Sequence, residues 1–232
     1  MWNGKNKAVT FSYDDGITQD KRLIKLFDKY GLKCTFNLNS GLLGQEGYLD
    51  CEGERVSFNH VKPEEVRELY TGHEIASHTL THPALRDCSE EEIFRQVEND
   101  RLRLCELAGY EVVGFAYPGG TGCVGNSDKI IREKTGVKYA RTTSSTYSFD
   151  LQDDLILFNP TVYHHGEWDA LFSLGRKFLE LDTDKPQLFY IWGHAFEFDI
   201  HDTWDRMEEF CRLISGKNDI FYGTNKEVLL ER

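Results

Sequence analysis

The chain has 232 residues, 40% hydrophobic and 13% aromatic, enough to fill a sizeable core, and a single domain over residues 1–232 is expected. Its formal net charge of -12 argues against a nucleic-acid partner, which needs a basic patch, and gives no reason for attraction to an anionic membrane. No run approaches the ~20 apolar residues of a membrane helix, no apolar leader opens the chain, and the six scattered cysteines form no C-x-x-C pair. A reducing, cytoplasmic setting is therefore expected, with a trimmed secreted protein as the alternative.

Residues 7–13 read as a strand that ends at the acid pair Asp14-Asp15. Residues 19–30 carry Leu23, Ile24 and Phe27 at helical spacing, and Gly31 stops them. Residues 34–38 are the next strand. Residues 40–59, rich in glycine and acids and without periodicity, read as a loop over the site or a surface insertion. Pro63 introduces a helix over 64–70, and a short strand over 74–77 runs into His78. Ser89 with Glu92 marks a helix start, and Ile93, Val97, Leu104 and Leu107 keep it in phase to about Ala108. A strand over 112–117 stops at Pro118-Gly119-Gly120. Strand and helix alternate from there: helices over 127–134, 168–181, 204–214 and 226–230, and strands over 138–142, 187–192 and 220–222.

This alternation predicts a parallel barrel or an open doubly wound sheet. The polar clusters at Asp14-Asp15, His78, Pro118-Gly119 and His194 each follow a strand, and in a barrel such loops converge on one face. Neither G-x-G-x-x-G nor G-x-x-x-x-G-K-[ST] occurs, so no nucleotide cofactor is expected.

Three clusters carry the chemistry. Asp14-Asp15-Gly16 reads either as a turn or as paired carboxylates, one a metal ligand and one a base. His78 and His82, four residues apart, can face one ion from a single turn, or be an ordinary surface pair. His194 ends an apolar run beside Trp192 and Gly193, either packed there or held near a working pKa as a proton donor.

Taken in order, Thr10-Phe11-Ser12-Tyr13-Asp14-Asp15-Gly16, His78-Thr79-Leu80-Thr81-His82, Phe115-Ala116-Tyr117-Pro118-Gly119 and Ile191-Trp192-Gly193-His194 resemble the motifs of the polysaccharide deacetylases, the NodB-like carbohydrate esterase family 4. The resemblance implies an α/β fold, a distorted (β/α) barrel of about seven parallel strands. It implies a divalent metal, commonly Zn2+ with Co2+, Ni2+ or Fe2+ as alternatives, held by Asp15, His78 and His82. Asp14 would be the general base, the Tyr117 backbone N–H would meet the oxyanion, and His194 would be the general acid. The expected reaction is hydrolysis of acetyl groups from an N- or O-acetylated carbohydrate. A small non-sugar amide is a second substrate class, and a catalytically silent, metal-containing glycan-binding protein a third reading.

The chain departs from the family at Ala116, where many members carry an arginine that orients the base, and Arg141 is the candidate substitute. The acidic segment that tunes the acid is also not cleanly present. Glu167-Trp168-Asp169 and Glu197 are its candidates, and His164-His165 read as rim residues.

Overall fold

A computed structural model describes residues 1–231. In chain order its elements are β1 (Lys7–Asp15), α1 (Asp20–Lys29), β2 (Cys34–Leu38), β3 (Tyr48–Cys51), β4 (Glu54–Ser57), α2 (Val66–Leu69), β5 (Glu74–Ser77), α3 (Glu90–Phe94), α4 (Asp100–Ala108), β6 (Gly114–Ala116), α5 (Ser127–Lys134), β7 (Tyr139–Arg141), β8 (Val162–Tyr163), α6 (Trp168–Glu180), β9 (Gln187–His194), α7 (Trp204–Ile214), β10 (Ile220–Tyr222) and α8 (Asn225–Leu229). Seven strands lie side by side in the order β7-β6-β5-β2-β1-β9-β8, and β10 pairs with the start of β1. Every pair among these eight strands is parallel.

The sheet curls into the expected distorted barrel. The segment after β7 bridges its two edges. Ala140 N–H donates to Leu155 O and Thr142 N–H to Phe158 O, while Thr161 N–H donates to Tyr190 O of β9. All nine residues of β1 are buried, as a parallel strand covered on both faces requires. Phe11 packs against Phe27 of α1 with ring centroids 4.7 Å apart and edge-on to Phe210 of α7. Burying each such ring contributes roughly 1.5–3 kcal/mol.

Three elements differ from the sequence reading. Residues 40–59 contain the hairpin β3–β4, whose alternation is too short to register as strands. Its turn residue Glu52 accepts from His165 and His201, which come from loops far along the chain. β8 is only two residues long and sits in a stretch without strand periodicity. The helix after Ser89 is capped as expected, with Ser89 Oγ accepting from Glu92 N–H, but it passes through a π turn at Arg95–Asn99 before α4.

Candidate functional site

The register sets the site. Asp14 of β1 lies opposite Asn37 of β2 and His194 of β9. Leu38 of β2 lies opposite Ser77 of β5, whose next residue is His78. Ala116 of β6 lies opposite Arg141 of β7. Strands ending at one level therefore bring Asp14, the histidine pair, Arg141 and His194 to one mouth. A cavity of about 380 Å³ opens there, with Asp14, His78, His82, His194, Gly119 and Gly120 among the residues on its wall. A larger groove of about 480 Å³ beside α5 gathers no comparable cluster.

Asp15, His78 and His82 offer three donors within 4.8 Å of one another. Asp15 Oδ1 is 3.6 Å from His78 Nε2 and 3.7 Å from His82 Nε2, too far for hydrogen bonds. Three donors at about 2.1 Å from one tetrahedral centre would lie about 3.4 Å apart, so the spacing fits a shared cation. His78 Nδ1 lies 2.8 Å from Ala116 O. A carbonyl only accepts, so Nδ1 carries the hydrogen and Nε2 keeps its lone pair toward the cluster. Burial pushes the His78 imidazole down to about 4, which keeps it neutral, as a ligand must be.

The histidine pair does not ride a helical turn. It sits on a loop in which Thr79 (φ 71°) and His82 (φ 58°) are left-handed, and Asp15 (φ 79°) is left-handed across from them. Such non-glycine conformations cost about 1–3 kcal/mol each and persist only where surroundings enforce them. The enforcement is visible. The π turn leaves Gln96 O to accept from Leu80 N–H, and Gln96 Oε1 accepts from Thr81 N–H. Asn39 donates to both His78 O and Thr79 O. Asp100 of α4, fully buried, accepts from Ser40 N–H, Ser77 Oγ–H and His78 N–H. After the acid pair, Gly16 turns at φ 66°, where a Cβ would meet Leu38 Cδ2 at 2.7 Å.

Asp14 is 2% exposed and is held by Arg141, whose Nη2 lies 2.7 Å from Oδ1 and 2.5 Å from Oδ2. Asn37 Nδ2 donates to Oδ1 at 2.8 Å. Burial works to raise the Asp14 carboxyl, but the Arg141 guanidinium, together with the His78 and His194 rings, outweighs it and holds the group below its ordinary value. Arg141, fully buried, also lies with its Cζ 4.4 Å from the centroid of the Trp192 ring.

His194 Nε2 faces Asp14 Oδ2 at 3.9 Å. Its Nδ1 bonds Glu197 Oε1 at 2.8 Å. Burial disfavours the charged ring, but the Glu197 carboxylate prevails and raises His194 to about 10. Asp14 is thus ionised where His194 is protonated.

Tyr117 is placed differently from the expectation. Its backbone N–H is taken by Arg141 O at 3.0 Å in the β6–β7 ladder, so it has no proton left for an oxyanion. Gly119 and Gly120, both at positive φ, follow it onto the cavity wall. His164 is not a rim residue but fully buried beside Glu197, while His165 holds Glu52 nearer the surface. Glu167 is occupied by the Tyr147 hydroxyl and Asp169 by Arg206.

Sequence reasoning missed Asn37, Asn39 and Asp100. The signal existed for Asp100, which lies in the stripe Ile93, Val97, Leu104 where an apolar residue belongs.

No helix among the described residues is long and apolar enough to cross a membrane. No curated protein sequence matches the chain. Solved structures do. A family 4 carbohydrate esterase from Streptomyces lividans, in complex with acetate, aligns at 15% identity and a TM-score of 0.59 over 95% of this chain and 93% of its own. The polysaccharide deacetylase Bc1974 from Bacillus cereus aligns at 15% identity and 0.55 over 94% and 91%. A family 4 pseudoenzyme from Bacillus anthracis aligns at 16% identity and 0.58 over 97% of this chain and 66% of its own, so this chain spans about two thirds of that protein. These likenesses establish the barrel. The profile described as polysaccharide deacetylase matches residues 3–140, more than half of the sequence, and the chain therefore belongs to the polysaccharide deacetylase family.

Proposed function

We propose that residues 1–232 act as one catalytic domain, a metal-dependent hydrolase that removes acetyl groups from an N- or O-acetylated carbohydrate. The observation that carries this reading is the convergence of Asp14, the Asp15–His78–His82 cluster and His194 on one cavity of about 380 Å³. Asp15 Oδ1, His78 Nε2 and His82 Nε2 would hold a divalent cation, for which Zn2+ suits the donor set. When bound, such a cation polarises the acyl carbonyl and makes a water more acidic.

The chain's own groups supply the rest. Asp14 accepts the proton of the attacking water as its oxygen bonds to the carbonyl carbon. Arg141 and Asn37 fix that carboxylate and keep it ionised. The developing oxyanion is received at the Gly119–Gly120 wall, where two left-handed glycines turn the backbone at the cavity. His194 gives its Nε2 proton to the departing nitrogen or oxygen as the C–N or C–O bond breaks, leaving acetate and the free amine or alcohol.

The same geometry serves a small non-sugar amide, and the substrate assay separates the two. A silent glycan-binding role is disfavoured because binding alone gives no reason to bury an ionised base 3.9 Å from a protonated acid. The test is acetate release from a panel of acetylated sugars and small amides by zinc-reconstituted protein, with Asp14→Asn as control. Acetate from sugars, abolished by Asp14→Asn with zinc retained, is the expected result. Turnover confined to amides, or none with any loaded metal, sinks the proposal.

A further inference from the structure

The end of β8 and the turn after β9 bring a second set of two imidazoles and a carboxylate together. His164, His165 and Glu197 each offer a donor atom within 4.8 Å of the other two. His164 is fully buried and Glu197 is 3% exposed. His164 Nε2 has no hydrogen-bond partner, although it faces Glu197 Oε2 at 3.5 Å. That gap is too long for a hydrogen bond and close to the ~3.4 Å between two donors about 2.1 Å from one tetrahedral cation.

Each imidazole has a group on its other nitrogen. The Tyr13 hydroxyl oxygen lies 3.4 Å from His164 Nδ1. With Nδ1–H directed at that oxygen, Nε2 keeps its lone pair toward Glu197. Burial pushes His164 down to about 4, so the ring is neutral. A Cβ at residue 193 would sit 1.8 Å from His164 Nδ1, so Gly193 is the residue that admits this ring against β9. His165 Nε2 meets Glu52 Oε1 at 2.8 Å, at the tip of the β3–β4 hairpin. A carboxylate on that nitrogen leaves Nδ1 free to ligate, and it is the usual support of a metal-bound imidazole.

Glu197 is open on one side. Its Oε1 accepts from His194 Nδ1–H at 2.8 Å and from the Tyr163 hydroxyl. Its Oε2 accepts from the His194 backbone N–H at 2.9 Å, which leaves that oxygen a lone pair for the side of His164.

We propose that His164, His165 and Glu197 form a second divalent-cation site, which shares its carboxylate with His194. Imidazole and carboxylate donors suit zinc, cobalt or nickel better than magnesium. The cation and the His194 ring draw on one carboxylate, so this site is the weaker of the two, and filling it loosens the hold of Glu197 on His194. The effect on turnover rests on His194 being the acid; the site itself does not.

The full chain carrying one equivalent of zinc, titrated with more, tests the site without turnover. Calorimetry should show a second, weaker equivalent, and NMR should show it moving the ring nitrogen signals of His164, His165 and His194. His165→Ala, at a half-buried position, should lose the second equivalent and keep the first, and Asp15→Asn should do the reverse. His164→Gln should lose it as well, and Glu52→Ala should weaken it about tenfold. Acetate release should be greatest at one equivalent and fall about tenfold with the second, a fall absent in His165→Ala.

Wild-type protein that takes up only one zinc overturns the site, as does a second zinc that survives in both His164→Gln and His165→Ala. A second zinc that leaves the His194 signals unmoved overturns the sharing of Glu197. Protein that binds two zinc ions as described but hydrolyses no substrate refutes the proposed function and upholds the site.

Discussion

Replacing Arg141 by Met, which fills the space without the charge, is the sharpest test of how Asp14 is held. Both partners are almost fully buried, and one guanidinium nitrogen reaches both carboxylate oxygens at 2.7 and 2.5 Å. Removing one member of such a pair costs about 3–5 kcal/mol, because the remaining charge is buried without its partner. Asn37 still donates to Oδ1, which places the expectation toward the lower end of that range. At this chain length each kcal/mol moves the melting temperature by roughly 2–4 °C.

The pH dependence carries the sign. Asp14 is depressed in the folded protein, so its contribution to stability is present above the unfolded value of about 3.9 and is lost as pH falls through the lower folded value. Without Arg141, burial loses its main counterweight and the folded Asp14 carboxyl shifts upward. The stability deficit of the variant then grows as pH rises from about 3 to 7. The acid limb of kcat/KM moves up by about 1–3 pH units. Denaturant melts across pH and a pH–rate profile with a chromogenic acetyl ester read both quantities. Because Ala116 lies opposite Arg141 in the ladder, Ala116→Arg in the Arg141→Met background should restore part of the loss. A variant with wild-type stability and an unmoved acid limb refutes the reasoning.

His194 is raised to about 10 by Glu197, so the alkaline limb of kcat should fall well above pH 6.5, activity being lost as pH rises through the His194 value; a limb at or below 6.5 contradicts its role as acid. Asp15→Asn, His78→Ala and His82→Ala should each lower zinc affinity at least tenfold by competition with a chelator, and unchanged affinity in any one removes that residue from the ligand set. Asp100→Ala leaves Ser40 N–H, Ser77 Oγ–H and His78 N–H without their acceptor. It should cost about 2–4 kcal/mol in urea melts and weaken zinc binding, and a change under 1 kcal/mol would show that water replaces the carboxylate freely.

The alternation of apolar strands with amphipathic helices was readable from residue order, because burial on two faces and the 3.6 period both leave local marks. β2 and α5 fall at their expected bounds for that reason. The clustering of Asp14, His78 and His194 was readable as motifs, since each ends a strand. The hairpin β3–β4 and the two-residue β8 were not readable, because so short a run carries no period.

The family resemblance also marked Ala116 as the place of a missing arginine and Arg141 as its candidate substitute. It did not determine that the two positions pair across β6 and β7, which is a matter of sheet register. Register likewise assigned the Tyr117 N–H to Arg141 O and took it from the oxyanion. Spacing placed His78 and His82 on one side of a turn, but only packing produced the left-handed loop that brings them together, through a π turn and the buried Asp100. Local sequence fixes what a segment prefers. Which carboxylate meets which cation across 127 residues, as Asp14 meets Arg141, is decided by strand order and burial.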